Sequence, residues 1–250
     1  MTRVALYRVL VIAAAVLLLE VLCLAGVIDR LTMPPPHRIL YDLARILVSG
    51  SQNAAIFKTL TNASIALALA LVVGVLAALA LHGQRAVRET LEPLFATYYA
   101  VPIFAFYPLL IVLMGLGDAP QIGIGFMLGV VAVIVNTLNG LDRVPRVLRQ
   151  AARVARLGAI ETALAVTLPC AAPHVLTGAK LAVAYSLIGV IGAEFIMSNG
   201  GMGYEISFAY NNFDNRIMYP LILLILAVSI LLNAILSRWE RLLMQRRGQS

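Results

Sequence analysis

The chain is poor in the residues that most protein chemistry needs. Its 250 residues include two cysteines, three histidines and only 12% charged side chains. An ordinary soluble domain has about 25% charged and about 45–50% apolar residues. Here the apolar share is 61% and the mean hydropathy +0.92, which argues against a soluble enzyme. Cys23 lies near the outer end of the first apolar run marked below and Cys170 near the inner end of the fifth, so they cannot approach disulfide distance. His37, His82 and His174 are scattered over three segments without ligand spacing, so no metal site is expected.

Lysine is almost missing: Lys58 and Lys180 are the only two. A phosphate-binding P-loop ends in Gly-Lys-Ser/Thr. Lys58 follows Phe57, and Lys180 stands between Ala179 and Leu181, so any ATP chemistry has to reside on another chain. Glu89 and Glu92 are three apart on a charged turn where solvation is the default. No Ser/His/Asp or Cys/His constellation is suggested, and the chain is read as a non-enzyme. Gly123, Gly125 and Gly129 superficially resemble a dinucleotide fingerprint, but they lie in an apolar helix with no strand before them. Close helix packing through small residues is the better reading.

What the sequence does have is long apolar runs. Spanning a bilayer takes roughly 20 mostly apolar residues. Six segments qualify, at 9–28, 59–81, 93–117, 119–141, 173–197 and 217–237, which predicts an all-α polytopic membrane protein of about six transmembrane helices. The first run follows Arg3 and Arg8 but exceeds the 7–15 residues of a signal-peptide core, so it is read as an uncleaved span. Sorting the connections alternately puts Arg3, Arg8, Arg85, Arg88, the arginines between 142 and 169 and those after 237 on one side, thirteen in all. The other side has Arg30, Arg38, Arg45, Lys58 and Arg216. The positive-inside rule then makes both termini cytoplasmic. Because the basic residues fall between apolar runs, membrane lipid is the expected anionic partner and nucleic acid is not.

Pro34-Pro35-Pro36 is followed by Ile39, Leu40, Leu43, Ile46 and Leu47 at helical spacing, which predicts an amphipathic helix on the outer surface as a packing or interfacial element. The cytoplasmic connection 142–169 is long for so compact a chain, and loops of that length are usually functional. Arg143, Arg146, Arg149, Arg153 and Arg156 are spaced 3, 3, 4 and 3, which puts them on one face of a helix; Val144, Val147, Leu148, Ala151, Val154 and Ala155 take the other. Gly158 is expected to end this helix in a left-handed conformation. A second helix over 159–168 is expected to close at Pro169. Two readings stand: a basic helix held by anionic lipid headgroups, or a docking element for a cytoplasmic partner.

Polar residues inside the spans supply the remaining candidates. Glu194 is either a lining residue or gate near the outer mouth, or an interface glutamate satisfied by water or loop backbone. Lys180 is expected to snorkel to the inner interface, and Glu20 to pair with a neighbouring helix. Asn136 and Asn139 either hydrogen-bond across helices or line a path. Gly200, Gly201 and Gly203 form either a flexible turn or an anion-binding nest.

Gln150-Ala151-Ala152 followed by Val166-Thr167-Leu168-Pro169 resembles the EAA loop of bacterial ABC importer permeases. Gln150 stands where that family usually has glutamate, and Arg156 where it usually has glycine. Val101-Pro102 through Pro108-Leu109, Gly115 through Pro120, and Ala193-Glu194 with Gly200-Gly201-Met202-Gly203-Tyr204 resemble the nitrate/sulfonate/taurine-type group. The resemblance covers roughly residues 60–240. It implies the type I importer permease fold in a bacterial inner membrane, working as a pair with a second permease subunit, two cytoplasmic ATPase subunits and a periplasmic or lipid-anchored binding protein. No cofactor is expected on this chain, with ATP and magnesium on the ATPase. Gln150, Ala151, Ala152, Arg153, Arg156, Gly158, Leu168 and Pro169 become the ATPase-coupling loop; Glu194, Asn136 and Asn139 become candidates for the path. The implied cargo is a sulfonate, taurine or nitrate, with a pyrimidine- or flavin-like precursor as the alternative. The organisation is then a first span with its amphipathic helix (1–58), a permease core (59–240) and a basic tail (241–250). A stand-alone secondary transporter or channel would call for inverted repeats, and none is evident.

Overall fold

A computed structural model describes residues 3–29 and 32–246, leaving out the side chains at 3–5, 8, 9, 85 and 241–246. Arg30 and Arg247, and the side chains of Arg3, Arg8, Arg85, Arg241 and Arg246, therefore lie outside the described residues, as does the end of the basic tail. The described residues contain helices and no strand: α1 (Arg3–Leu24), α2 (Pro36–Ser49), α3 (Asn53–His82), α4 (Arg85–Thr97), α5 (Tyr107–Met114), α6 (Asp118–Asp142), α7 (Arg146–Val154), α8 (Ala159–Thr162), α9 (Leu168–Ile196), α10 (Met202–Asn211) and α11 (Asn215–Arg246).

Four described helical segments are long and apolar enough to cross a membrane: Asn53–His82, Asp118–Asp142, Ala159–Ile196 and Asn215–Glu240. The apolar part of α1, Leu10–Leu24, is shorter. The expected single span at 93–117 is instead a bent pair, with Ala86–Ala100 and Ile103–Met114 meeting at 90°. Proline causes the break. The residue before a proline is driven out of the helical region, and Val101, ahead of Pro102, is extended at φ −77°, ψ 128°. The expected six spans are thus four long helices, one broken pair and α1.

The third segment is a single 38-residue helical run. Proline inside a helix removes a donor and clashes with the preceding turn, so the helix at 159–168 was expected to close at Pro169. It does not close. A wide π-type turn over Ala163–Thr167 lets the Leu168 N–H donate to the Ala163 carbonyl, placing Pro169 in the first turn of α9 where a missing N–H is harmless. The loop's second arm and the fifth span are therefore one rod.

The core forms where α6 lies between α9 and α3. Gly125 and Gly189 allow the approach: a Cβ on Gly189 would sit 2.7 Å from the Gly125 Cα, and one on Gly125 would meet Val190 at 2.8 Å and Ala66 at 3.0 Å. Ser186 Oγ–H donates across the contact to the Gly125 carbonyl at 3.2 Å. The packing reading of Gly125 and Gly129 holds, since a Cβ on Gly129 would lie 2.8 Å from Ser186 Oγ; Gly123 faces only Leu110.

The amphipathic helix is α2, and it packs on α11 with Ile39, Asp42 and Ile46 buried. Glu20 pairs with a neighbouring helix: its carboxylate lies 2.5 Å from His37 Nδ1 and accepts the His37 backbone N–H at 3.2 Å. Lys180 has a partner within the protein. It pairs with Glu240 of α11, which also accepts the Thr177 hydroxyl at 3.0 Å. Neither cysteine is in a disulfide; Cys23 lies at the far end of α1, and Cys170 in the first turn of α9.

Gly189→Ala forces a methyl into the α6 backbone, and overpacking of this kind costs about 1–3 kcal/mol. The expected outcome is a lowered unfolding midpoint in detergent, followed by tryptophan fluorescence. Gly83→Ala, whose Cβ would meet nothing closer than 3.7 Å, should leave the midpoint unchanged.

Candidate functional site

Three regions gather the polar chemistry, and the first is the arginine-rich loop. Arg146, Arg149 and Arg153 lie on α7, while Arg143 precedes it and Arg156 follows it, so the expected five-arginine helical face is reduced to three. The helix ends two residues earlier than expected. The Arg156 N–H donates to the Arg153 carbonyl and the Leu157 N–H to the Ala152 carbonyl, both at 3.0 Å, which closes a Schellman motif. The left-handed residue in it is Arg156, at φ 55°. Gly158 instead is extended and begins α8, its N–H donating to Glu161 Oε2 at 2.8 Å. A side chain at 156 needs a conformation that glycine adopts freely and other residues adopt at a cost of about 1–2 kcal/mol.

Ala152 is buried and anchors the loop, Leu168 is half-buried, and Gln150, Ala151, Arg153, Arg156, Gly158 and Pro169 are exposed. The apolar face opposite the arginines is only partly covered. Val144 is buried, but Val147 is 72%, Val154 85% and, on α8, Ile160 76% exposed.

The second region is a chamber of about 430 Å³ beside α4, α6 and α9, lined by residues that include Arg88, Tyr99, Asn136, Asn139 and Tyr185. Both path asparagines are in it. Asn136 does not bridge helices; its Nδ2–H donates to the Ala132 carbonyl of its own helix at 2.8 Å. Tyr99 and Tyr185 present rings 5.1 Å apart. Arg88 is fixed by a two-pronged pair with Asp142, at 2.7 and 2.5 Å, which joins α4 to the end of α6.

Glu194 belongs to neither the loop nor the chamber. It is fully buried at the opposite end of the helices. Its Oε2 accepts the Thr59 hydroxyl at 2.7 Å and the Gly203 N–H at 3.0 Å, and Thr59 Oγ1 accepts the Met202 N–H at 2.7 Å. The carboxylate thus ties α9, α3 and the start of α10 together. The glycines are explained by the same atom group: a Cβ on Gly201 would fall 2.3 Å from Glu194 Cδ, and one on Gly203 would fall 2.2 Å from the Ile191 carbonyl. The loop at Gly200, Gly201 and Gly203 is neither a loose turn nor an open nest, because Glu194 fills it.

Around this latch lie residues that sequence reasoning missed. Asn62 donates to Gln121 Oε1 at 3.1 Å, Gln121 donates to Ser198 Oγ at 2.8 Å, and the Tyr107 hydroxyl donates to the Met197 carbonyl at 2.6 Å. Lys58 pairs with Asp118 at 3.0 Å. The available signal was the helical spacing of Lys58, Thr59 and Asn62 at the start of an otherwise apolar run.

Residues 70–249 match the family described as binding-protein-dependent transport system inner membrane component, and the chain belongs to that family of multi-pass inner-membrane permeases. Within it the chain falls in the nitrate/sulfonate/taurine group of ABC permeases. It is 24% identical to the nitrate import permease protein of Synechocystis sp. over 80% of this chain and 76% of the relative. It is 26% identical to the taurine transport system permease protein of Escherichia coli over 89% of this chain and 82% of the relative. A chain of the MetNI methionine ABC transporter in inward-facing form shares the fold, with TM-score 0.64 at 17% identity over 77% of this chain and 95% of that one.

Arg156→Gly removes the left-handed penalty, stabilising the turn by about 1 kcal/mol. Amide exchange over 152–157 is expected to slow about fivefold by mass spectrometry, which is that free energy expressed as a rate ratio. Gly158→Ala should change nothing there, because Gly158 has φ −64° and a Cβ on it would meet only Glu161 Oε2, at 3.6 Å.

Proposed function

We propose that this chain is the membrane subunit of an ATP-driven importer, paired with a second permease subunit, with both termini and the 142–169 loop in the cytoplasm. ATP and its magnesium are bound by two separate ATPase subunits, and a binding protein delivers cargo from the other side. The observation that carries the ATPase reading is the exposure of Val147, Val154 and Ile160 among the loop arginines. Apolar side chains rimmed by charge mark protein contacts, whereas a helix held only by lipid headgroups would turn its apolar face into the bilayer.

The geometry also supplies a transmission route. Rigid-body displacement of packed elements is an established way to move a signal through a protein. Because Ala159–Ile196 is one rod, drawing the loop inward carries the Glu194 end with it, and the chamber's access alternates as the paired subunits rock. Gln150 to Gly158 act as the coupling element, with Ala152 as its anchor.

For cargo we propose a small solute. The relatives named for nitrate and taurine favour a small anion, with Arg88 as the cation nearest to it in the chamber. The chamber's lining favours a second reading, a ring-bearing solute such as a pyrimidine-like precursor. Tyr99 and Tyr185 offer aromatic faces, Asn136 and Asn139 offer amides, and the Arg88 charge is already matched by Asp142.

Purification in a mild detergent that preserves such complexes tests the reading. The expected result is an ATPase chain recovered at about one per permease, as two-fold pairing requires, and lost from Val154→Asp/Ile160→Asp protein that still inserts. Recovery of the permease alone would favour a stand-alone transporter. Stimulation of hydrolysis by taurine or nitrate with the binding protein, against stimulation by a pyrimidine, separates the two cargo readings.

A further inference from the structure

The arginine-rich end holds a second cavity, separate from the chamber and about twice its size at roughly 870 Å³. It lies between the two arms of the loop. Arg143 comes from the end of α6, Leu148 from α7, and Pro169, Cys170, Pro173 and His174 from the start of α9. Prolines on both arms give it stiff walls.

Its polar lining is one-sided. No carboxylate lines it, and the neighbouring Asp142 is held by Arg88. Arg143 is exposed and has no ion-pair partner among the described residues. His174 Nδ1 is sealed from solvent without a hydrogen-bond partner. Nε2 is then the ring nitrogen left to meet a ligand, and the tautomer protonated there is a donor. A guanidinium and an imidazole N–H with no competing acid suit an anion with several acceptor oxygens. The remaining walls are apolar, and the cavity sits where the spans meet the loop. Basic pockets between helices at the cytoplasmic face hold phosphorylated headgroups.

We infer that this cavity binds a phosphate group, gripped by Arg143 and His174, supplied either by an anionic phospholipid of the adjacent leaflet or by free phosphate. An occupant bridges the end of α6 and the first turn of α9, so it braces the base of the loop. The cavity shares no lining residue with the cargo chamber, whereas Pro169 of the coupling loop lines it.

Cys170 lines the cavity and reports its occupancy, while Cys23, only 1% exposed, serves as the internal control. The full chain is placed in nanodiscs of phosphatidylcholine, of phosphatidylcholine with phosphatidylglycerol, and of phosphatidylcholine with added inorganic phosphate. Alkylation of Cys170 by N-ethylmaleimide is then timed by mass spectrometry. The expected result is an approximately fivefold slowing by the effective phosphate source, matching what one basic residue contributes near an anionic surface, and its loss in Arg143→Gln and in His174→Gln. Slowing by phosphatidylglycerol alone assigns the lipid, and slowing by inorganic phosphate assigns the free ion. Equal rates in all three preparations overturn the proposal. So does slowing that persists in both variants, because that is a general effect of surface charge.

Discussion

The contact on which the rest of the structure depends is the approach of α6 and α9 at Gly125 and Gly189, where a single added carbon would lie 2.7 Å from the opposing backbone. Lipid tails are as apolar as leucine, so helices in a bilayer gain little by hiding apolar surface from one another. Close backbone approach, dispersion and the occasional interhelical hydrogen bond hold them instead. Ser186 provides such a bond at this contact. With α3 packed on the same helix, the pair becomes a stiff frame with the arginine loop at one end and the Glu194 latch at the other.

Both ends then show the same division of labour. A fully buried carboxylate is costly unless its oxygens find donors; Glu194 Oε2 obtains two, from the Thr59 hydroxyl and the Gly203 N–H, while Oε1 is buried with no partner among the described residues. At the other end, Arg88 and Asp142 clamp the bent α4 to α6, leaving the chamber between the clamp and the aromatic pair. Polar groups deep in this protein serve first to fix helix ends relative to one another. Val147, Val154 and Ile160 of the loop stay exposed, and they are the surface proposed for the ATPase.

Long apolar runs made α3, α6, α9 and α11 legible from composition, and the 3.6-residue rhythm made α2 and α7 legible as amphipathic helices. The broken third span was hidden because Pro93, Pro102 and Pro108 interrupt a stretch that has no charge to mark an edge. The left-handed turn at Arg156 was hidden for a different reason. Local preference pointed to Gly158, whereas closing α7 and starting α8 imposes the conformation two residues earlier, on an unfavoured side chain. Asn136 and Asn139 were recognised as polar residues in a span, and the fold puts both at the chamber. Thr59, Asn62 and Gln121 went unrecognised as partners because the pairs they form join positions 59 and 135 apart in sequence.

On the proposed mechanism the loop and the latch move as one body. Spin labels on Arg153 and on Ser207, in the assembled transporter with and without magnesium-ATP, measure it directly by pulsed electron resonance. Within one permease the 153-to-207 distance should stay the same in the two nucleotide states, while the distance between the two copies of 153 changes. A within-chain distance that changes while the copies keep their spacing would mean that loop and latch move independently, and would contradict rigid-body coupling.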